Sequence, residues 1–469
     1  MSPKDIIRKI DSKKIEFIDF RFTDTSGLEH HISIPRSSIN EEKFKFGQNF
    51  DGSSIDGWKS IESSDMLLVP DINTAKIDPF RELKTMIIKC DVYETKNQKN
   101  YNRDPRSLSK RAETYLKESG IGEKIYFGPE PEFFIFDSIK WKYEDSNIFV
   151  DLKSKEFNFN LKEDIYGYNK GNYLSIKGGY SPVPPFDSFQ DFRSEVSTIL
   201  EQMGIPVEIH HHEVAGQGQL EIGTKFSTLT NRADWNCIMK YIIRNTAKIY
   251  GKTATFMPKP IIKDNGSGMH IHQSIWKNNK NIFFGNNYSN LSDTAIYYIG
   301  GIIKHAKALN AITNPGTNSY KRLIPNFEAP VNLNYSSQNR SAAIRIPHFT
   351  NQKNSRIEVR FPDGLANPYL AFSALMMAGI DGIKNKIHPG NPTNKNLYNI
   401  SIKEKHILGK ICSSLEESLY FLDKDRNFLL RGNVFNNDMI DAYITLKMKE
   451  VKRIKDNIHP LEFDMYYNL

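Results

Sequence analysis

Four short stretches of this 469-residue chain carry acids and bases at the spacing of one strand face. GPEPEFFIF places Glu130 and Glu132 two residues apart, HHHEVAGQGQLEIG carries Glu213 and Glu221, NGSGMHIH carries His270 and His272, and SRIEVRF carries Arg356, Glu358 and Arg360. In an extended chain the side chains at i and i+2 lie on the same side, so each set converges. The opposite side is apolar: Ile357, Val359 and Phe361 alternate with the charged trio, and Phe133 and Ile135 continue the first segment. One face therefore packs on a core while the other builds a site. Glutamates gathered in one place repel, and burying them is costly unless something compensates. Hard divalent cations, with oxygen ligands and one imidazole, supply that compensation, and the arginines at 340, 345, 356 and 360 offer forked donors for phosphate or carboxylate. Such a set suits phosphoryl transfer. In KRLIPNFEAP, Lys321 and Arg322 precede a proline-bounded loop bearing Glu328, which reads as a flap over the site.

Other phosphate-binding patterns fail. Gly251, Lys252 and Thr253 spell the end of a P-loop, but Thr246 stands where its first glycine is required, and Gly216 and Gly218 lack the third glycine of a dinucleotide turn because Glu221 occupies it. Phosphates would then be held by metal and arginine. His210, His211 and His212 suggest zinc, yet three consecutive strand side chains cannot all face one ion, and no cysteine is near.

The elements that must position these residues are legible in outline. Residues up to about 100 read as a short helix followed by the strands EFIDFRFTD, LEHHISIP, MLLVPD and TMIIKCDVY, a small β-rich domain. Asp104 and Pro105 make an N-cap and first-turn pair for a helix ending at Gly120. Further helices are expected at Asp187–Met203, Thr228–Tyr250, Ser292–Ala311, Pro368–Lys386 and Asn437–Lys455, with short links between the site strands that favour an antiparallel sheet. The fold class is α+β: a small N-terminal β-rich domain over residues 1–103, then a larger domain over 104–469 with an antiparallel sheet flanked by helices.

The bulk properties narrow the setting. Charged residues at 25% and apolar ones at 39% are an ordinary globular balance. The net charge of +8 is spread over scattered lysines with no basic block, so no nucleic-acid partner is expected. Cys90, Cys237 and Cys412 are odd in number and far apart, as reduced thiols in a cytosol would be. The charged N-terminal segment lacks the apolar run of a signal peptide, and the longest apolar stretch, near Leu370 to Ile380, falls short of the roughly 20 residues that cross a bilayer. A soluble cytoplasmic protein is expected, with no membrane partner.

Taken together, the segments FDGSSIDGW, GPEPEFF, KGGYSPVPP, HHHEVA, GKTATFMPKP, NGSGMHIH, NSYKRLIPNFEAPV, NRSAAIRIP, RIEVRFPD and ANPYL resemble bacterial type I glutamine synthetases, in family order and over nearly the whole chain. The resemblance implies that the small domain is β-grasp-like and that residues 104–469 form a catalytic domain with a curved antiparallel sheet. It also implies two Mg²⁺ or Mn²⁺ ions per site, one held by Glu132, Glu213 and Glu221 and the other by Glu130, His270 and Glu358. It implies that Glu132, Asn265, Gly266, His270, Arg322, Glu328, Arg340 and Arg360 surround L-glutamate. Glu208, Phe226, His272, Ser274, Arg340, Lys353 and Arg356 would surround ATP, and Asp51, Ser54, Tyr180 and Glu213 the ammonium. Asp51, Glu328, Arg340 and Arg360 would be the catalytic residues of an ATP-dependent ligation of ammonium to L-glutamate through a γ-glutamyl phosphate. The family's assembly, two stacked hexameric rings with active sites shared between neighbours, implies a homododecamer tied by the C-terminal strap ending IHPLEFDMYYNL. Tyr398 matches a tyrosine that is adenylylated in enteric relatives, although NLYNISIKEK lacks the acidic, proline-containing context that usually follows it. Ser181 and GLANPY also depart from the usual pattern. A ligase for a larger amine and a non-catalytic homologue are the competing readings. Asp51 and Ser54 favour ammonium, and the complete set of acids and arginines favours an enzyme.

Overall fold

A computed structural model describes residues 1–144, 147–156, 172, 174–349, 351–394 and 408–466. The first helix, Pro3–Ser12, starts where Ser2 and Asp5 cap each other reciprocally, and it buries Ile6 and Ile10 against the small sheet. That sheet runs in the order Glu29–Pro35, Phe17–Thr23, Thr85–Glu94, Asp65–Pro70, Gln48–Asp51, with Lys76–Ile77 also on Thr85–Glu94. Phe17–Thr23 and Thr85–Glu94 pair in parallel and the other pairs are antiparallel. Alternate residues such as Ile18, Phe20 and Phe22 reach its core.

The large sheet has ten strands, on a path from Val207–His212 through Gln219–Thr224, Lys124–Phe136, Met269–Lys277, Ile357–Val359 and Ile344–Arg345 to Tyr335–Ser336. Its pairs are antiparallel except the last, where Tyr335–Ser336 runs parallel to Ile344–Arg345. Helices cover its apolar side, with Pro368–Lys384 almost wholly buried at the centre.

Two helices differ from their expected bounds. The stretch Ser292–Ala311 divides into Asp293–Lys304 and Ala306–Thr313 at His305. That imidazole is buried between Asp381 at 3.0 Å and Asp425 at 2.7 Å and stacks on Phe428, contacts from two other parts of the chain that fix where the axis turns. The helix expected from Asp187 begins at Gln190; Asp187 instead receives both terminal nitrogens of Arg193 and the backbone N–H of Phe189.

The small sheet is tied to the rest by Arg106. Asp104 caps its helix, Pro105–Glu118, and also accepts from the backbone N–H of Val92. The buried guanidinium meets Asp91 at 2.6 Å, Asp71 at 2.9 Å and Asp234 at 2.9 Å, joining the small sheet to the helix Leu229–Ile249. Removing one partner of a buried charge network strands the others. Arg106→Met is therefore expected to cost about 3–5 kcal/mol, read as a fall in the unfolding midpoint; an unchanged midpoint would show that Lys110 alone neutralises Asp71 and Asp91.

Candidate active site

Strand register brings the acids and imidazoles together. Glu130 lies opposite His270, Glu132 opposite Glu221, and Glu221 opposite His211, while Glu358 lies opposite His272 on one side and Arg345 on the other. Directly opposed residues share a face, so one polar row crosses six strands. Over it opens a cavity of about 830 Å³ lined by Glu130, Glu132, Glu213, Glu221, His270 and Glu358, and also by Tyr180, Asn265, Gly266, Arg322, Glu328, Arg340 and Arg360.

Within this cavity two clusters have ligand atoms mutually within 4.8 Å: Glu130, His270 and Glu358, and His211, Glu213 and Glu221. The first is the expected trio. In the second, His211 stands 3.4 Å from both Glu213 and Glu221, while Glu132 turns to accept from the backbone N–H of Gly268 at 2.8 Å and from Gln219 at 3.0 Å.

Charge explains the arrangement. Burial and the neighbouring Glu213 push the Glu132 carboxyl up to about 8. Burial and Glu221 push Glu213 to about 7, and burial together with Glu130 and Glu132 pushes Glu221 to about 7. His211 is raised to about 9, chiefly by its hydrogen bond to Glu221, and so serves as an imidazolium counter-charge. The other cluster is balanced differently. Burial alone would raise Glu358, but His272, His270, Arg360 and Arg345 outweigh it and hold the carboxyl at about 2. Burial and Arg360 keep the His270 imidazole well below its usual range, hence neutral and able to donate a lone pair. Carboxylates crowded enough to retain protons in one cluster, and an ionised carboxylate beside a neutral imidazole in the other, are donor sets that fit divalent cations.

The glycine-rich turn frames the neighbouring end of the cavity. A Cβ on Gly268 would come within 2.4 Å of Arg322 Nη2, so only glycine lets that buried guanidinium lie against the backbone. Arg322 donates to the carbonyls of Phe361, Pro362 and Arg360, which fixes it beside Asn265 and Gly266. The loop carrying Glu328 reaches over this end: Asn265 Nδ2 donates to Glu328 at 3.3 Å, and Phe327 sits under the ammonium groups of Lys177 at 4.3 Å and Lys259 at 3.7 Å. Arg360 pairs with Glu358 at 3.0 Å, yet its Nε and Nη1 are buried without a well-aligned acceptor.

The remaining expected residues lie elsewhere. His272 contacts Glu130 at 3.1 Å and accepts from Arg356 Nε at 3.2 Å, and Ser274 accepts from Trp276 along the same strand. Exposed Phe226 packs edge-on against Tyr126, beside that strand. Glu208 and Lys353 are exposed. None of these six lines the cavity. Asp51 and Ser54 are on the small sheet, where Asp51 accepts from Ser53 and Ser54, hydrogen bonds that lower its carboxyl, and neither residue lines the cavity of its own chain. Tyr398 is outside the described residues. Not anticipated at the site were His211, Gln219, Lys177, Phe327, Gln338, Asn339 and Asn394, while Arg345, expected only as one of four forked donors, lines the cavity and pairs with Glu358. The i, i+2 rule that selected Glu213 and Glu221 also selects His211 and Gln219.

Comparison with known proteins gives two family matches, "Glutamine synthetase, beta-Grasp domain" over residues 14–95 and "Glutamine synthetase, catalytic domain" over residues 102–466. A curated relative from Cupriavidus pinatubonensis, named 3-hydroxylaminophenol mutase, is 59% identical, covering 100% of this chain and 99% of its own. A glutamine synthetase from Methylococcus capsulatus is 54% identical over 100% of both chains. Among solved structures, the Plasmodium falciparum glutamine synthetase superposes with a TM-score of 0.91 at 32% identity, covering 100% of this chain and 99% of that one.

Proposed function

This chain belongs to the glutamine synthetase family, whose reaction is the ATP-dependent ligation of ammonium to L-glutamate giving L-glutamine, ADP and phosphate through a γ-glutamyl phosphate, and we propose that its cavity residues divide that work as follows. Glu130, His270 and Glu358 hold one Mg²⁺ or Mn²⁺, and Glu132, Glu213 and Glu221 hold the other. When bound, the two cations neutralise the phosphate oxygens of ATP and the γ-carboxylate of glutamate. The observation that carries this reading is the pair of clusters on one strand row, Glu130, His270 and Glu358 in one and Glu213 and Glu221 with His211 in the other, while Glu132 lies opposite Glu221 and lines the same cavity.

The chain's own groups do the rest. Arg322 and the Asn265–Gly266 turn orient the amino-acid end of glutamate, with its γ-carboxylate aimed at ATP. Arg340 and Arg360 face the cavity and stabilise charge on the transferring phosphoryl group; the unmatched donors of Arg360 support this. Glu208, Phe226, His272, Ser274, Lys353 and Arg356 line the approach for the nucleotide. Glu328 and Phe327 exclude water that would hydrolyse the acyl phosphate. Asp51, with Ser54, Tyr180 and Glu213, receives ammonium and takes its proton.

Cation binding must expel protons from this site. Because the carboxyls of Glu132, Glu213 and Glu221 sit above their ordinary value of 4.5, they favour the folded chain most below about pH 4.5, and that share of stability is lost as pH rises through 7 to 8. Apparent Mg²⁺ affinity is expected to rise about tenfold per pH unit between pH 6 and 7 for each proton displaced. Calorimetry in two buffers of different ionisation enthalpy counts the protons; a pH-independent affinity would contradict the assignment.

We propose a dodecamer of two hexameric rings with shared sites. Supporting it are the exposed apolar side chains of the hairpin Ser138–Glu144 and Asn147–Lys153, including Trp141, Phe149 and Val150, and of the terminal helix Pro460–Tyr466, including Leu461 and Met465, which neighbouring copies would cover. The domain division at 103/104 is supported by a small-sheet core whose last member is Tyr101. No described helix is long and apolar enough to cross a membrane. A cytoplasmic setting is supported by three buried free thiols.

The deciding assay follows glutamine formed from glutamate, ATP and ammonium with Mg²⁺ or Mn²⁺, with methylamine and ethylamine replacing ammonium in parallel and 3-hydroxylaminophenol in a separate arm. Cation- and ammonium-dependent glutamine formation is expected. A clear preference for an amine, or rearrangement of 3-hydroxylaminophenol with no glutamine formed, would overturn the reading.

A further inference from the structure

A second cavity, of about 560 Å³, lies between the small sheet and the helix Leu229–Ile249, on residues that the reaction does not use. Its floor comes from Arg21 and the Ser26–His31 turn, and its walls from Lys240, Arg244, Phe256 and Leu365. Four cationic side chains, Arg21, Arg81, Lys240 and Arg244, line it against two carboxylates, Asp19 and Glu29.

Those carboxylates are engaged elsewhere. Asp19 receives Arg21, His31 and Ser33, Glu29 pairs with Lys89, and Arg21 is further matched by Asp78 at 3.0 Å. On the helix wall the balance is opposite. Lys240 donates to the carbonyl of Gly364 and lies over the Phe256 ring, and Arg244 lies 5.5 Å from the same ring. Among the described residues no carboxylate is within ion-pairing distance of either, and Arg81, bonded to Asn245, has its nearest acid, Asp78, at 3.9 Å. Like charges at i and i+4 on a helix repel, and concave walls concentrate the resulting positive potential. Burial also draws the Lys240 ammonium down to about 8, as expected where a cation lacks a counter-charge.

We propose that this cavity binds a small organic anion, its carboxylate or phosphate oxygens on Lys240 and Arg244 and its apolar body against Phe256, Met257 and Leu365. A guanidinium fork beside an ammonium is the donor pattern for such oxygens, and the apolar wall selects for a carbon skeleton over a bare inorganic ion. Gly364 and Leu365 in the wall lie a few residues beyond Arg360, so the occupant borders the strand that carries an active-site arginine.

The test is calorimetric titration of the assembled full-length protein, without nucleotide or divalent cation and at low chloride, with glutarate and with phenyl phosphate as probes. The parent, Lys240→Met/Arg244→Gln and Arg340→Gln are compared, the last removing a cation of the main cavity. At least one probe is expected to bind once per subunit in both the parent and Arg340→Gln, and at least about tenfold more weakly in the double variant; which probe binds identifies the head group. Arg244→Lys keeps the charge but loses the fork, so its affinity is expected to fall between those of the parent and Arg244→Gln. Arg244 is exposed on its helix, so Arg244→Gln alone carries the same reading should the double substitution prevent assembly. Binding of neither probe, or binding lost in Arg340→Gln and unchanged in the double variant, would overturn the proposal.

Discussion

Glu358→Gln is expected to lower kcat by at least about a thousandfold, the scale of losing a preorganised electrostatic contact together with a cation ligand. Glu358 is 2% exposed and is the common partner of Arg345 at 2.9 Å, Arg360 at 3.0 Å and His270 at 3.8 Å. Glutamine is nearly the same size but carries no charge, so it would leave two guanidinium groups and the neighbouring imidazoles facing one another. Arg360 would lose the anchor that aims it into the cavity, and a cation beside Glu130 and His270 would keep one carboxylate instead of two. Because the Glu358 carboxyl is held at about 2 against an ordinary 4.5, its charge stabilises the fold fully above about pH 4.5, and that contribution fades as pH falls towards 2. The substitution is thus expected to cost on the order of 3 kcal/mol at neutral pH, with a smaller difference from the parent in acid. Steady-state kinetics at saturating Mg²⁺ and unfolding at pH 7 and pH 4 are the measurements. A variant within tenfold of the parental rate would remove Glu358 from the cation site.

How far the site could be read in advance depended on which interactions are local. The pairs Glu130/Glu132, His270/His272 and Glu358/Arg360 are legible because strand parity is a property of adjacent residues. Their mutual order is not, since the register that sets Glu130 opposite His270 and Glu358 opposite His272 is decided by pairing between strands more than 80 residues apart. The role of His211 was missed for a similar reason: its raised pKa arises from carboxylates on its own strand and the next, whereas a run of three histidines draws attention to zinc. The helix broken at His305 obeys local periodicity throughout, and only Asp381 and Asp425, brought up by the fold, reveal why the axis changes there. Asp104 with Pro105 shows the converse, a helix start set by neighbouring residues and found where expected. The second cavity draws on residues 19–31, Arg81, 237–245, 255–257 and 364–368, and no periodic pattern links those segments.

Co-assembling two inactive variants should restore activity if, as proposed, head-to-tail neighbours in a ring share their sites, since Asp51 and the cavity of its own chain are not brought together. Asp51 lies on the edge strand Gln48–Asp51 of the small sheet, exposed, with its carboxylate held by Ser53 and Ser54, and it is absent from the cavity formed by the acids and arginines of its own chain. If Asp51 receives ammonium, it does so in the cavity of the next subunit, and each complete site then needs one small domain and one catalytic domain from different copies. On the proposed roles Asp51→Asn would remove the proton acceptor and Arg360→Gln the phosphoryl-facing cation, so either variant alone is expected to fall to about 1% of parental activity or less. In a random 1:1 assembly, a site is intact when the small domain comes from an Arg360→Gln chain and the catalytic domain from an Asp51→Asn chain, which predicts recovery of about one quarter of parental activity. Co-expression with two affinity tags and tandem purification isolates the mixed rings, and post-mixing of assembled homo-oligomers serves as the control in which no recovery is expected. A mixed assembly no more active than its parts would place Asp51 outside the ammonium site or confine each site to a single chain. Since the proposed cation ligands all belong to one chain, Mg²⁺ binding should be the same in Asp51→Asn and parent under either result, so that failure would count against the shared ammonium pocket and leave the cation assignment standing.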